Sequence, residues 1–232
     1  MKDLPLPPQI VTTDTTLPWA FAKHEQTGES IAADHFLSEC IILACGFGEQ
    51  AELAAQEVVE TTLLAYKILR TKQFYFSAHG QLMPKLVHIA GRKLFKLRSS
   101  FPDIKASLTV VCLSVKRWWI VSTDTTHIYL YRGQQLVRIL PQEELTQIEP
   151  QFLGETKYPQ AVFTEGDIQS QDQFLLTTKP LAETVNTKRL TEFLKSTSVT
   201  SEKWGQIPQE IVNEAVKRRK QSSYGAVLAE HK

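Results

Sequence analysis

The sequence predicts an α+β fold built from layers of sheet and helix, and three observations carry that expectation. Two long segments with helical periodicity stand near the start. Four short β-branched, aromatic-rich runs fill the middle, and strand-like and helix-like segments alternate to the end. At 232 residues, 42% of them hydrophobic, the chain is long enough to bury a sizeable core. No internal repeat or low-complexity linker divides it. The expected organisation is an extended lead-in over residues 1–20 followed by a single domain over 21–232.

Taken in order, the lead-in carries Pro5, Pro7 and Pro8, which fix the backbone and remove donors, so it is read as extended. CIILACGFG (40–48) is a short buried strand entering a glycine-flanked turn. From Glu49 the period becomes helical. Leu53, Ala54, Val58, Leu64, Ile68 and Leu69 are expected near one inward face, with glutamates early and Lys67, Arg70 and Lys72 late, an order that suits the helix dipole. A second helix follows in GQLMPKLVHIAGRKLFKL, with Leu86, Ile89, Ala90, Leu94 and Leu97 facing in and a stop at Ser-Ser-Phe-Pro.

ASLTVVCLSV, RWWIVSTD, HIYLYRG and QLVRIL are expected to form a meander of antiparallel strands. Within it Trp118 and Trp119 point to opposite faces, so one is expected in the core, and the other, if exposed, would be an anchor for a partner. A looser stretch rich in Pro, Gln and Glu follows over 141–160. AVFTEGDI and DQFLLT then read as strands, the second entering a helix through Lys179-Pro180-Leu181. TKRLTEFLK and PQEIVNEAVKRRKQ are helical, and YGAVLAE is a closing strand.

Composition narrows the function classes. A formal net charge of +1 gives no electrostatic case for a nucleic-acid partner. Cys40, Cys45 and Cys112 are too few and too scattered for a disulfide framework or a zinc site, and Cys112 lies in an apolar run as a small buried hydrophobe. No segment has signal-peptide character and none reaches about 18 uninterrupted apolar residues, so a cytoplasmic chain without a membrane partner is expected.

Several short stretches stand in a telling order. Ala33-Asp34-His35-Phe36 comes first, then Cys45-Gly46-Phe47-Gly48-Glu49 before the first long helix, and Ala106-Ser107-Leu108-Thr109 after the second. IVSTDTTHIYLYR, Phe152-Leu153-Gly154, Thr178-Lys179-Pro180-Leu181 and Ser222-Ser223-Tyr224-Gly225-Ala226 complete the series. In this order the chain resembles the metal-dependent serine/threonine phosphatases of the PP2C (PPM) family, over about Phe21 to Glu230. The resemblance implies a four-layer α-β-β-α sandwich, two antiparallel sheets flanked by antiparallel helix pairs. It also implies a cleft holding Mn²⁺ or Mg²⁺ on carboxylates, where a metal-activated water attacks a phosphoester.

The resemblance fails at the residues that carry this chemistry. Cys45, a soft ligand, stands where the family's Asp-Gly-His-Gly-Gly has its metal-bridging aspartate; Gly46 keeps the glycine and Phe47 replaces the histidine. Lys179 stands at the aspartate of Ser-Asp-Gly-Leu. At about 4 Å and an effective dielectric of about 20, one ammonium repels a dication by on the order of 8 kcal/mol. Ser223 replaces the aspartate of Ser-Asp-Asn, and Thr125 falls at the aspartate of Gly-Asp-Ser-Arg, with Asp124 beside it. No arginine precedes Arg70 to clamp a phosphate, and Asp34 is the single carboxylate at a family metal position.

The expectation is therefore a degenerate cleft at Asp34, Cys45, Gly46, Thr125, Lys179 and Ser223, with no catalytic residue, metal or cofactor. Lys179 is expected to pair with Asp34. The function expected is that of a pseudophosphatase, a regulatory or scaffolding domain that binds a protein such as a kinase or phosphoprotein. One alternative is an active PPM-type phosphatase using Mn²⁺ or Mg²⁺ on a rearranged site that recruits Asp124, Glu49 or Asp172. The other is a small-molecule-binding module in the same cleft.

Overall fold

The computed structural model describes residues 19–37, 39–72, 79–123, 126–140, 151–195, 203–219 and 221–231. Most of the lead-in, the proline-bearing part included, lies outside them. Two five-stranded antiparallel sheets face each other. The first runs in the order β2 (Glu29–Phe36), β3 (Cys40–Phe47), β4 (Lys105–Leu113), β5 (Arg117–Ser122) and β8 (Val162–Asp167). The second runs β1 (Trp19–His24), β10 (Tyr224–Glu230), β9 (Gln173–Thr177), β6 (His127–Arg132) and β7 (Gln135–Leu140). Helices α1 (Ala51–Lys72) and α2 (His79–Leu97) cover the first sheet. The shorter α3 (Lys179–Thr184), α4 (Thr187–Lys195) and α5 (Ile207–Arg218) cover the second, so only one flank is a pair of long helices.

Burial on both faces explains the strand sequences. In β3, Ile41, Leu43 and Cys45 enter the core between the sheets, whereas Cys40, Ile42 and Ala44 meet the helices. The strand is therefore a continuous apolar run instead of an alternating one. The same geometry corrects the tryptophan expectation: Trp118 packs between the sheets and Trp119 packs under the helices, so neither is an exposed anchor. Cys40 and Cys112 are register partners on β3 and β4, both fully buried, and burial followed by the neighbouring Cys112 pushes the Cys40 thiol up.

Three expectations are corrected. The four middle runs form two hairpins in different sheets instead of one meander: β5 pairs with β8, and β6 pairs with β9. Splitting them lets each sheet bury both faces. Leu64 and Ile68 of α1 are 60% and 45% exposed, because the inward stripe runs through Ala54, Ala55, Val58, Val59, Thr62, Ala65 and Tyr66. Ile89 of α2 also faces out. The lead-in ends earlier than expected, since Trp19 and Ala20 already pair with Ala229 and Leu228.

Local devices hold the frame. Gly133 (φ 55°) and Gln134 (φ 64°) both adopt positive φ between β6 and β7, as a two-residue type I′ turn demands. Asp172, 1% exposed, accepts from Arg132 Nε at 2.7 Å, from Arg132 Nη2, and from the Gln169 backbone N–H at 2.7 Å, pinning the start of β9 to the end of β6.

Candidate functional site

Strand register builds a cleft where the facing sheets open at one end. Glu29, Ser30 and Ile31 of β2 lie opposite Phe47, Gly46 and Cys45 of β3. Across from them the end of β9 turns through Thr178 into α3 at Lys179 and Pro180, and Ser223 precedes β10. These residues, with Phe152, line a space of about 270 Å³. Phe152 meets Phe47 edge-on with ring centroids 5.0 Å apart, and Lys105 Nζ sits 5.3 Å above the Phe152 ring.

Two glycines set how closely the elements in and behind the cleft approach one another. A Cβ on Gly46 would stand 1.8 Å from the Ala51 carbonyl oxygen, so only glycine lets the first turn of α1 approach β3. A Cβ on Gly225 would meet the Ile31 side chain at 2.9 Å, so this glycine lets the sheets close on one another just behind the cleft.

The hydroxyls are largely committed to backbone. Ser223 Oγ accepts from the Gln26 N–H at 2.9 Å, tying the β1–β2 turn to β10. Thr178 Oγ1 accepts from the Gly225 N–H at 3.1 Å, beside the Thr178 N–H to Gly225 carbonyl bond at 3.0 Å. Ser30 donates to Glu25 Oε1 at 2.8 Å. That oxygen also takes the Ile31 N–H at 2.6 Å and Lys23 Nζ at 2.8 Å. Partial burial raises the Glu25 carboxyl, but these donors, led by the Ile31 N–H, hold it below its ordinary range.

Of the positions singled out in the sequence, Cys45, Gly46, Lys179 and Ser223 line this one cleft. Thr125 and Asp124 lie outside the described residues. Asp34 does not reach the cleft, which is a correction. It pairs in register with Ile42, three residues beyond Ile31, or about 10 Å further along β2. Its carboxylate accepts from the His35 N–H at 2.7 Å and stands 3.7 Å from His35 Nδ1, too far for a hydrogen bond. The His35 side chain, its backbone N–H and Lys67 keep the Asp34 carboxyl below its ordinary range, against the effect of partial burial.

The expected Lys179–Asp34 pair is therefore absent. Lys179, half exposed at the cleft rim, lies 3.9 Å from Glu183 one turn along α3, a contact worth about 0–1 kcal/mol. Pro180 fits the first turn of that helix, where its missing N–H costs nothing. The cleft carboxylate that sequence reasoning missed is Glu29. No local sequence signal marks it; the β2–β3 register places Glu29 opposite Phe47 and Asp34 opposite Ile42. Of the other carboxylates considered, Asp172 is committed to Arg132, and Glu49 is exposed beyond the cleft.

Two adjacent hard dications need several oxygen donors and surplus negative charge. The described lining offers one carboxylate (Glu29), three hydroxyls, the Cys45 thiol and the Lys179 ammonium. Among the described residues no three His, Cys, Asp or Glu side chains form a group able to hold a metal ion. This donor set does not fit a two-metal centre. No described helix is long and apolar enough to cross a membrane.

No protein-family model and no curated protein matches the sequence. Solved structures do match the architecture. The serine/threonine phosphatase PstP of Mycobacterium tuberculosis superposes with a TM-score of 0.74 at 16% identity, over 93% of this chain and 99% of that one. Stp1, a serine/threonine phosphatase from Staphylococcus aureus, gives 0.74 at 13% identity over 94% and 96%. PppA of Pseudomonas aeruginosa, described as a key regulatory component of T6SS, gives 0.73 at 12% over 92% and 98%. The PstP catalytic domain has also been solved with two manganese ions and superposes at 0.72 with 17% identity. The two sheets and their flanking helices are thus those of the PP2C fold.

Proposed function

We propose that this PP2C-fold chain is a catalytically inactive phosphatase domain, a pseudophosphatase, that works by binding a protein partner as a regulatory or scaffolding module. The observation that carries the reading is the charge of the cleft. A buried thiol and a lysine stand where the resemblance calls for metal-binding aspartates, and Glu29 is the one carboxylate in the described lining. The hydroxyls that could have served a ligand hold the loops together instead. The frame persists without the metal chemistry because its stability comes from the three hydrophobic cores between and outside the sheets.

The test is hydrolysis of p-nitrophenyl phosphate in excess Mn²⁺, alongside calorimetric titration of the chain with Mn²⁺ and Mg²⁺. The expected result is no turnover above buffer and no saturable metal binding at millimolar concentration. Turnover accompanied by metal binding would establish the opposite reading, an active phosphatase with a rearranged metal site.

A further inference from the structure

The near-neutral net charge conceals a concentrated patch. Helix α2 carries Lys85, Arg92, Lys93 and Lys96 and not one acidic residue. Lys93 is paired with Glu57 of α1 at 2.9 Å, and just past the helix Arg98 is held by the carbonyls of Pro102, Gly154 and Glu155. Lys85, Arg92 and Lys96 are exposed and form no ion pair among the described residues. At 100° per residue, these three fall within about 40° of one another on the helix, spaced about 10 and 6 Å along it. Among the described residues, Glu57 is paired with Lys93, Glu155 with Lys105 and Glu165 with Arg117.

Helix stability does not account for this stripe. Arg92 and Lys96 stand at i,i+4, where like charges destabilise a helix, and the dipole favours only Lys96, in the last turn.

Apolar groups border the stripe. Ile89 and Phe95 are each 38% exposed. Tyr158, 62% exposed, meets the His88 ring edge-on at 6.1 Å and carries Lys157 Nζ 5.4 Å above its own ring. Gly91 is what lets this segment lie across the helix, since a Cβ there would stand 2.8 Å from Pro159 Cγ. Exposed tyrosine, phenylalanine and arginine side by side are the residue types enriched at protein interfaces.

We propose that the exposed face of α2, with Lys157 and Tyr158, is a docking surface for an acidic segment of a partner protein that also carries apolar side chains. The inference rests on the binding role proposed above and names the chemistry of the partner. Carboxylates would pair with Lys85, Arg92 and Lys96 while aliphatic or aromatic groups cover Phe95, Tyr158 and Ile89. Anionic membrane fits less well, because the continuous apolar face of α2 (Leu86, Ala90, Leu94) is already buried against the sheet. Nucleic acid fits less well, because three cations on a chain of net charge +1 make a short electrostatic footprint.

The experiment uses fluorescence anisotropy of the full chain with a labelled amphipathic peptide that repeats Glu-Glu-Leu-Leu. Its comparison probes are the same peptide with Gln for Glu, polyglutamate, a 20-nucleotide uridine RNA and phosphatidylserine vesicles. The expected result is saturable, salt-sensitive binding of the acidic amphipathic peptide, tighter than any comparison probe. K85E/R92E/K96E should weaken it at least about tenfold, and F95A/Y158S about fivefold, with melting temperatures unchanged. If charge reversal unfolds the chain, K85Q/R92Q/K96Q is read in its place. Equal or tighter binding of RNA, vesicles or polyglutamate overturns the proposal, as does peptide binding that ignores the stripe variants, or no binding. Metal titration and phosphatase assay are independent of this face, so an active enzyme with an intact docking surface, or an inactive one without it, is recognised separately.

Discussion

Asp172 is the sharpest place to separate a latent metal ligand from a structural latch. The perturbation is Asp172→Asn, which preserves shape but replaces one acceptor oxygen with an NH2 group. In the native fold both carboxylate oxygens are filled, by Arg132 Nε, Arg132 Nη2 and the Gln169 N–H, and the side chain is 1% exposed. The amide must therefore turn a donor against a donor, while Arg132 loses its counter-charge. Breaking a buried pair on one side costs about 3–5 kcal/mol. Arg132 is 33% exposed and keeps a bond to the Asp167 carbonyl, so water and backbone retrieve part of the loss and the lower figure, about 3 kcal/mol, is expected. For a chain of this size that is a fall in melting temperature of roughly 6–12 °C. Urea denaturation and thermal unfolding followed by circular dichroism read it directly, with Arg132→Ala and the double variant closing a cycle. A loss under about 1 kcal/mol, or additive single variants, would refute the latch.

Three further outcomes are expected. Gly46→Ala should destabilise by about 1–3 kcal/mol or more, read as a shift in urea midpoint, because its methyl meets a helix carbonyl that cannot rotate away. Glu25→Gln should expose a pH-dependent term. The Glu25 carboxyl is depressed in the folded state, so its stabilisation is complete above its unfolded value of about 4.5 and fades as pH falls through the lower folded value. The difference between wild type and Glu25→Gln in urea midpoint should accordingly be largest near pH 7 and shrink toward pH 3. Finally, C45D/K179D places two new carboxylates in the cleft beside Glu29, and calorimetry should detect Mn²⁺ binding by this variant that the wild type lacks.

Most of the element order was legible because hydrophobic period survives without the tertiary structure. The long helices, β3 and the strands from β4 onward, and the closing β10 all announce themselves in this way. The strands β1 and β2 did not, because WAFAKH is short, ESIAADHF is half polar, and both take their strand state from pairing with β10 and β3. The register error at Asp34 has the same origin. Sequence offers two acidic residues on one short strand, Glu29 and Asp34, which alternate to opposite faces, and nothing local decides which face meets the other sheet.

Sequence alone determined that this chain folds as layered sheet and helix, and that Cys45, Lys179 and Ser223 replace carboxylates in its resemblance to the phosphatases. Those are properties of residue type and order, which survive in one dimension. Only the tertiary structure decided that Glu29, not Asp34, faces the cleft. It also decided that Lys179 turns to Glu183, and that three cations with no ion pair among the described residues gather on one side of α2. The physical reason is that side-chain direction depends on strand register and on which helix face is buried. Both are fixed by contacts between residues far apart in the chain.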